Sequence, residues 1–390
     1  MSGGGPRAED RDAPLLQMAC AAFSDDAPRP GDTPRPGDAP RRIGVAVSGG
    51  GDSMAALHLM HRAASCRGWQ VCAVTIDHRL RPESAQEAAL VAGFCASLGV
   101  AHETVPWTGQ DGRGNLQDQA RRARYALIAE WAGRGGITHV VLGHTGDDQA
   151  ETFLMRLARE AGADGLAAMR RNWRAAGVCW SRPFLTASRA ALRQYLRRHG
   201  IEWADDPSNE DERFGRVRAR RVLVALKPLG ISARTLGAVA GHLRMTGDAI
   251  AETCAGVAEA HARQVAGDVV IPRSALMDCH PEIRRRLVVG AIRWISGAGY
   301  APRARSVQSL IDALSDSGTA VGMTRTLAGC RISVAAGQVR FAREARAVQG
   351  FEAPTTGLWD ARWRLDGPHA PGLSVRALGA EGLKHCPDWR

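Results

Sequence analysis

The sequence is almost without lysine. Of its 51 Lys and Arg residues only Lys227 and Lys384 are lysines, so a formal net charge of +11 is carried by arginine. A surplus of that size points to a polyanionic partner, although an Arg- and Ala-rich bias can also arise from genome composition. No run of 18 apolar residues is present to cross a bilayer, and the N-terminus lacks a secretory apolar core. The expectation is a cytoplasmic protein with no membrane partner. Nine cysteines, from Cys20 to Cys386, never form C-x-x-C. That excludes the usual zinc and iron–sulfur spacings and leaves free thiols of a reducing compartment. Two phosphate motifs are missing as well. No lysine follows a glycine loop, as the common nucleoside triphosphatases require, and no G-x-G-x-x-G opens a dinucleotide site.

What is present is a strand, a glycine loop and a helix start in residues 43–60, IGVAVSGGGDSMAALHLM. Residues 43–47 are apolar and β-branched, as a buried strand requires. Ser48, Gly49, Gly50 and Gly51 follow, and Asp52 and Ser53 open an apolar-periodic run that reads as a helix. Glycines let a backbone approach an anion closely, and the N–H groups and dipole of a helix start favour negative charge. An ordinary β–α turn would use similar residues. Three glycines between Ser48 and Asp52-Ser53 favour phosphate.

At 390 residues the chain has room for two or three domains. Residues 1–42 read as a flexible extension: a short amphipathic helix over 14–23 at most, then the tandem hexapeptide PRPGDT-PRPGDA at 28–39. Residues 43–225 alternate strand and helix. Further strands are expected at 71–76, 102–107 and 137–142, with helices at 83–98 and 116–131. The fold class is α/β, a doubly wound parallel sheet. Ligands of such sheets sit beyond the carboxyl ends of the strands, which places residues 48–53, 77–81 and 144–151 on one edge. Asp77 and His78 are therefore grouped with the nucleotide-binding residues. Asp148 and Glu151, three apart at a helix start just after His144, present two carboxylates on one face. They suit an ammonium group, with magnesium or plain helix stabilisation as alternatives. Arg121 and Arg124 likewise share a helical face, which could equally be solvated. Residues 226–345 read as a smaller, mainly helical domain closed by a hairpin over 324–343, with glycine breaks at Gly237, Gly241 and Gly247. Residues 351–390 read as a small β module.

The glycine loop resembles the SGGxDS signature of the PP-loop ATP pyrophosphatases, which split ATP between the α- and β-phosphates and adenylate a carbonyl oxygen. The resemblance sharpens along the chain. DHRLRPES at 77–84, NLQDQARRARY at 115–125, the segment from LGHTGDDQAET onward at 142–169, and WADDPSN at 203–209 are similar to motifs of the bacterial tRNA(Ile)-lysidine synthetases. They occur in the same order and span about residues 43–223. The resemblance implies ATP and Mg2+ as cofactors. Ser48, Gly49, Gly50, Gly51, Asp52 and Ser53 would cradle pyrophosphate, with Asp52 near the metal. Asp148 and Glu151 would recognise L-lysine beside His144, and Arg121 and Arg124 would steady phosphate or the activated base. The implied partner is tRNA(Ile) with a CAU anticodon, docked by residues 226–345; oligomeric state stays open, a homodimer included. One departure stands out. Val217 takes the place of an Asn in the family's R-F-x-R-N-R, while Arg213, Arg216, Arg218, Arg220 and Arg221 keep the segment basic. Alternatives are another PP-loop tRNA enzyme such as a thiolase, disfavoured by the lack of C-x-x-C, or a non-catalytic nucleotide- or RNA-binding protein.

Overall fold

Strands that are apolar along their whole length and joined through helices pack as a sheet covered on both faces. The computed structural model describes residues 8–23, 41–79, 84–108, 116–205, 213, 215–298, 301–316, 322–379 and 382, and divides into two units, Met1–Gly247 and Asp248–Arg390. The tandem hexapeptide, residues 80–83 of the DHRLRPES run and residues 206–209 lie outside the described residues.

The first unit begins with α1 (Ala8–Cys20). It continues through β1 (Arg41–Ala46), α2 (Gly51–Arg67), β2 (Trp69–Asp77), α3 (Ser84–Ser97), β3 (Ala101–Pro106), α4 (Leu116–Arg134) and β4 (His139–Leu142). Then come α5 (Gly146–Leu157), α6 (Ala163–Leu166), β5 (Asn172–Ala175), β6 (Val178–Ser181), α7 (Arg189–Arg198) and α8 (Gly215–Ala225). The sheet order is β3-β2-β1-β4-β6-β5, parallel except for β5, which pairs antiparallel with β6. The α/β expectation holds. The chain winds outward from β1 to β3 and then returns to place β4 on the other side of β1. The loops after β1 and β4 thus diverge at a switch point and leave a crevice. Ile43, Val45, Met54, Leu57 and Val141 form one core with α2 and α7, and Val74, Ile128, Val140 and Trp180 form another with α4.

Residues 1–42 read as a flexible extension with a short helix over 14–23 at most; α1 starts earlier, at Ala8, and belongs to the fold. Leu15, Ala19, Ala22 and Phe23 are buried in the core of α2 and α7. Asp12, with a side chain only 2% exposed, meets Arg62 at 3.0 Å, Arg198 at 2.7 Å and His199 at 2.7 Å. The helix is hard to see in sequence because its buried residues include alanines and Pro14 sits inside it. Burial pushes the Asp12 carboxyl upward, but hydrogen bonds from Arg198, His199 and Arg62 outweigh this and hold it below its ordinary 3.8. Its stabilising contribution is therefore present above that value and lost as pH falls through the lowered one. Asp12→Ala is expected to cost about 1–3 kcal/mol in chemical denaturation at pH 7, because it removes the shared acceptor of three part-buried donors. An unchanged midpoint and slope would mean that α1 merely rests on the domain.

The unit boundary falls inside α9 (Ala233–His261), not at residue 226. Gly237 and Gly241 do not break this helix: a glycine costs only about 1 kcal/mol in a helix interior, and Leu236 and Ala240 beside them are buried against Phe153 and Leu223. The second unit adds β7 (Arg263–Val265), β8 (Asp268–Pro272), α10 (Arg273–Asp278), α11 (Pro281–Ser296) and α12 (Ala304–Ser315). It closes with β9 (Thr324–Leu327), β10 (Cys330–Ala335) and β11 (Gln338–Arg343). The hairpin expected at 324–343 is the β9–β10–β11 part of a five-stranded antiparallel sheet, order β7-β8-β11-β10-β9, and Ile332, Val334, Val339 and Phe341 pack on α11 and α12. The arginine run at 284–286 is paired internally. Arg284 donates to the Leu276 carbonyl at 2.8 Å, and Arg285 and Arg286 meet Glu282 at 2.7 and 2.9 Å. The final residues form β12 (Glu352–Pro354), β13 (Leu358–Trp359), β14 (Trp363–Arg364) and β15 (Ser374–Arg376), paired as β12-β15 and β13-β14.

Candidate active site

The glycine loop turns β1 into α2 without sealing the helix start. Gly50 is the N-cap and supplies no side-chain acceptor; the Ser53 N–H turns back to the Gly50 carbonyl at 3.0 Å, and no capping side chain covers the Gly51 and Asp52 N–H groups that face an incoming anion. Gly49 takes φ 83°, a backbone that glycine adopts freely. Ser53 holds the loop's shape: its hydroxyl donates to the Gly50 carbonyl at 2.9 Å and accepts from the Ser48 N–H at 3.1 Å. Trp203 covers Gly51, and the Ala204 N–H donates to the Gly49 carbonyl at 2.9 Å. Trp203 is thus packing against the loop. Behind it, Gly143 approaches so closely that an added Cβ would lie 2.8 Å from the Asp52 carbonyl oxygen. Gly143→Ala is expected to displace this loop and lower kcat/KM for ATP about 10²-fold, read by pyrophosphate release. Wild-type kinetics in that variant would show the loop to be free of β4.

α5 begins differently. Thr145 caps it, and the Asp148 Oδ2 accepts from the Thr145 N–H at 2.9 Å and hydroxyl at 2.8 Å. One oxygen of Asp148 therefore stabilises the helix start, as the plain alternative held. The other, with Glu151, faces the crevice, where Arg189 joins everything together. Its Nε lies 3.0 Å from Asp52 Oδ2, and its two terminal nitrogens lie 3.2 Å from Asp148 Oδ1 and Glu151 Oε1. Arg216 reaches Asp148 at 3.6 Å and Arg220 reaches Glu151 at 3.0 Å. Two arginines of the basic 213–221 run thus face the acidic pair, and Val217 between them is buried. Burial keeps the Asp52 carboxyl above its ordinary range despite Arg189; Asp148 is also buried, yet Arg189 and its other donors hold it below.

His144 leaves the end of β4 and accepts from Arg182 Nε at 3.1 Å through Nδ1. Burial and then the Arg182 charge push its pKa well below 6.5, so the ring is neutral. With Nδ1 accepting, the ring proton sits on Nε2, which becomes a donor. Arg182 also donates to Tyr125 Oη at 3.1 Å and lies 4.0 Å over the Trp173 ring. Arg121 and Arg124 stand 5.5 and 5.7 Å from the centre of the Tyr125 ring, beside an open cavity of about 450 Å³ that Arg121, Trp173 and Arg182 line. Asp77 and His78 end β2 on the same sheet edge. Asp77 accepts from the Arg79 N–H at 2.9 Å, and His78 packs edge-on against Trp107. Sequence reasoning missed Arg189 and Arg182. The sequence marks them only weakly, one directly after a capping serine and the other before Pro183.

A PP-loop domain model matches residues 28–226. A tRNA(Ile)-lysidine synthase of Ruegeria pomeroyi is 48% identical over 350 residues, which cover 90% of this chain and 82% of that protein. The chain belongs to the tRNA(Ile)-lysidine synthase family. Further lysidine synthases, from a Bradyrhizobium species and Hyphomonas neptunium, are 39% and 40% identical over 76% and 75% of the chain, and over 88% and 78% of their own lengths. Among solved structures, the U34-tRNA thiolase NcsA of Methanococcus maripaludis aligns with a TM-score of 0.51 at 12% identity, over 62% of this chain and 81% of its own. That likeness shows the shared fold alone. Like other lysidine synthases this chain is a tRNA-modifying ligase, and neither a thiolase nor a non-catalytic module is favoured. Among the described residues no helix is long and apolar enough to cross a membrane.

Proposed function

We propose that this lysidine synthase joins L-lysine to C2 of the wobble cytidine of tRNA(Ile) with a CAU anticodon. In the first step the cytidine O2 attacks the ATP α-phosphorus and pyrophosphate leaves. In the second the lysine amine attacks C2, the C2–O bond breaks and AMP leaves. The observation that carries this reading is that one guanidinium spans both halves of the site. Arg189 touches Asp52 of the phosphate loop and the Asp148–Glu151 pair at once, so nucleotide and amine meet within one side chain's reach.

Ser48, the three glycines and Ser53 hold the triphosphate through the open start of α2. Among the described residues no three His, Cys, Asp or Glu side chains converge as a metal cage. Asp52 Oδ1 is buried without a partner. One free carboxylate oxygen fits Mg2+, which usually takes one or two carboxylates plus phosphate oxygens and water. The ion would neutralise charge on the departing pyrophosphate. Glu151 Oε2 is likewise buried without a partner and is the acceptor we assign to the lysine ammonium. Because His144 Nε2 carries a proton, the ring donates to the activated base, and a carboxylate of the pair takes the amine's proton. Arg121 and Arg124 steady the nucleotide phosphate or base, and Asp77 and His78 border the nucleotide. The second unit serves as the tRNA-docking module. A reducing, cytoplasmic setting suits the eight described cysteines, all of them free thiols.

The test is incubation with ATP, labelled lysine and bulk tRNA, followed by mass spectrometry of the nucleosides. Lysidine should appear in an ATP-dependent way. Sulfur incorporation, or ATP turnover without lysine on RNA, would overturn the reading.

A further inference from the structure

We propose that Arg189 makes lysine binding conditional on nucleotide: it fills the three-carboxylate cluster in the nucleotide-free chain and leaves when a triphosphate offers it another anion. This rests on the assignment of Asp148 and Glu151 to the lysine amine.

A guanidinium has five donors in a rigid planar fork. Each of the three nitrogens of Arg189 is spent on a different carboxylate, those of Asp52, Asp148 and Glu151, at 3.0, 3.2 and 3.2 Å. An incoming ammonium needs these same oxygens. Asp148 has none idle while Arg189 is in place, since its Oδ2 belongs to Thr145. Glu151 keeps only Oε2. A second cation seated there would lie against the guanidinium in a site where Glu151 is 1% exposed and screening is weak. Lysine therefore meets a site that already holds a cation.

Only the side chain of Arg189 is free to change partners. Its backbone N–H donates to Asp147 Oδ2 at 2.7 Å, and the preceding Ser188 caps α7. The side chain already touches the phosphate loop through Asp52. A triphosphate cradled by residues 48–53 thus lies within its present reach, and arginine pairs with phosphate as readily as with carboxylate. Turning toward the nucleotide exchanges one set of charge-assisted bonds for another and takes one of two guanidinium groups off Asp148 Oδ1 and Glu151 Oε1. Arg216 and Arg220 remain to keep the pair from standing bare. Binding would then be ordered, nucleotide before lysine, and the coupling must be reciprocal.

Equilibrium dialysis of radiolabelled L-lysine against the full chain tests this, without tRNA, in the presence and absence of Mg2+ and α,β-methylene-ATP. In the wild type the nucleotide should lower the lysine Kd about 10-fold or more. Arg189→Met should bind lysine without nucleotide as tightly as the loaded wild type does, and its Kd should no longer respond. Arg189→Lys keeps a cation that cannot reach all three carboxylates, so its response should shrink. A wild-type Kd indifferent to nucleotide overturns the proposal. So does a nucleotide response in Arg189→Met equal to that of the wild type. If Arg189→Met fails to fold, a full response in Arg189→Lys is the overturning result and a reduced one the supporting result. Glu151→Gln, run in parallel, judges the amine site by itself. If it binds lysine like the wild type, the assignment of that site fails whatever Arg189 does.

Discussion

Glu151→Gln is expected to lower lysine incorporation about 10²- to 10³-fold while leaving lysine-independent adenylation of tRNA within a few-fold of the parent. Glu151 Oε1 holds Arg189 and Arg220, and Oε2 waits in a buried position without a donor. An amide in its place turns one acceptor into a donor, which then faces either an arginine or the incoming ammonium. Losing a charge-assisted contact in a closed site costs on the order of 2–5 kcal/mol, and each 1.36 kcal/mol is about a factor of ten in rate. Adenylation does not involve the amine and should be spared. Asp148→Asn should show the same division more weakly, with some loss of stability, because half of that carboxylate caps α5. Both variants are read by adenylate formation on tRNA and by lysine incorporation. Normal lysine KM in both, together with lost adenylation, would move the pair to the metal instead.

Asp52→Ala should reduce formation of AMP and pyrophosphate by about 10³-fold or more, with tRNA binding retained. The carboxylate is the only acidic group of the glycine loop, and its free Oδ1 is where a metal on the triphosphate would be held. Burial first, and Asp148 in addition, raise its pKa, while Arg189 works against them. In the chain without metal or nucleotide the ionised form is therefore lost at a higher pH than for an ordinary aspartate. Undiminished pyrophosphate release by the variant would remove Asp52 from the chemistry.

What the sequence made legible was local. The strand–glycine–helix transition at 48–53 and the three-residue spacing of Asp148 and Glu151 are fixed by neighbours along the chain, and the structure places both at one switch point. The cations that complete the site are not local. Arg189 lies 38 positions from Glu151 and Arg220 lies 69 away, arriving on α7 and α8. In a chain with so much arginine no single one announces itself. Arg216 and Arg220 read from the sequence only as members of a basic run, yet their four-residue spacing puts them on one helical face toward the acids. His144 reads from the sequence only as a neighbour of the acidic pair, because nothing nearby in sequence reveals Arg182, which fixes its tautomer. Of α1 only the later part is legible, as a helix over 14–23; Pro14 masks its earlier start at Ala8, and the Pro- and Gly-rich repeat after it masks its place in the core.

The cation inside the carboxylate cluster is an arginine, and that choice has a chemical consequence. An enzyme that builds an electrophilic carbon for a primary amine is at risk from its own primary amines. A lysine at position 189 would sit among the same carboxylates as the substrate and, once deprotonated, would attack the activated cytidine and tether the protein to its RNA. A guanidinium stays protonated and is not a competing nucleophile. Lys227 is the only lysine in residues 1–247, so the unit that carries the PP-loop domain is almost free of side chains able to imitate free lysine.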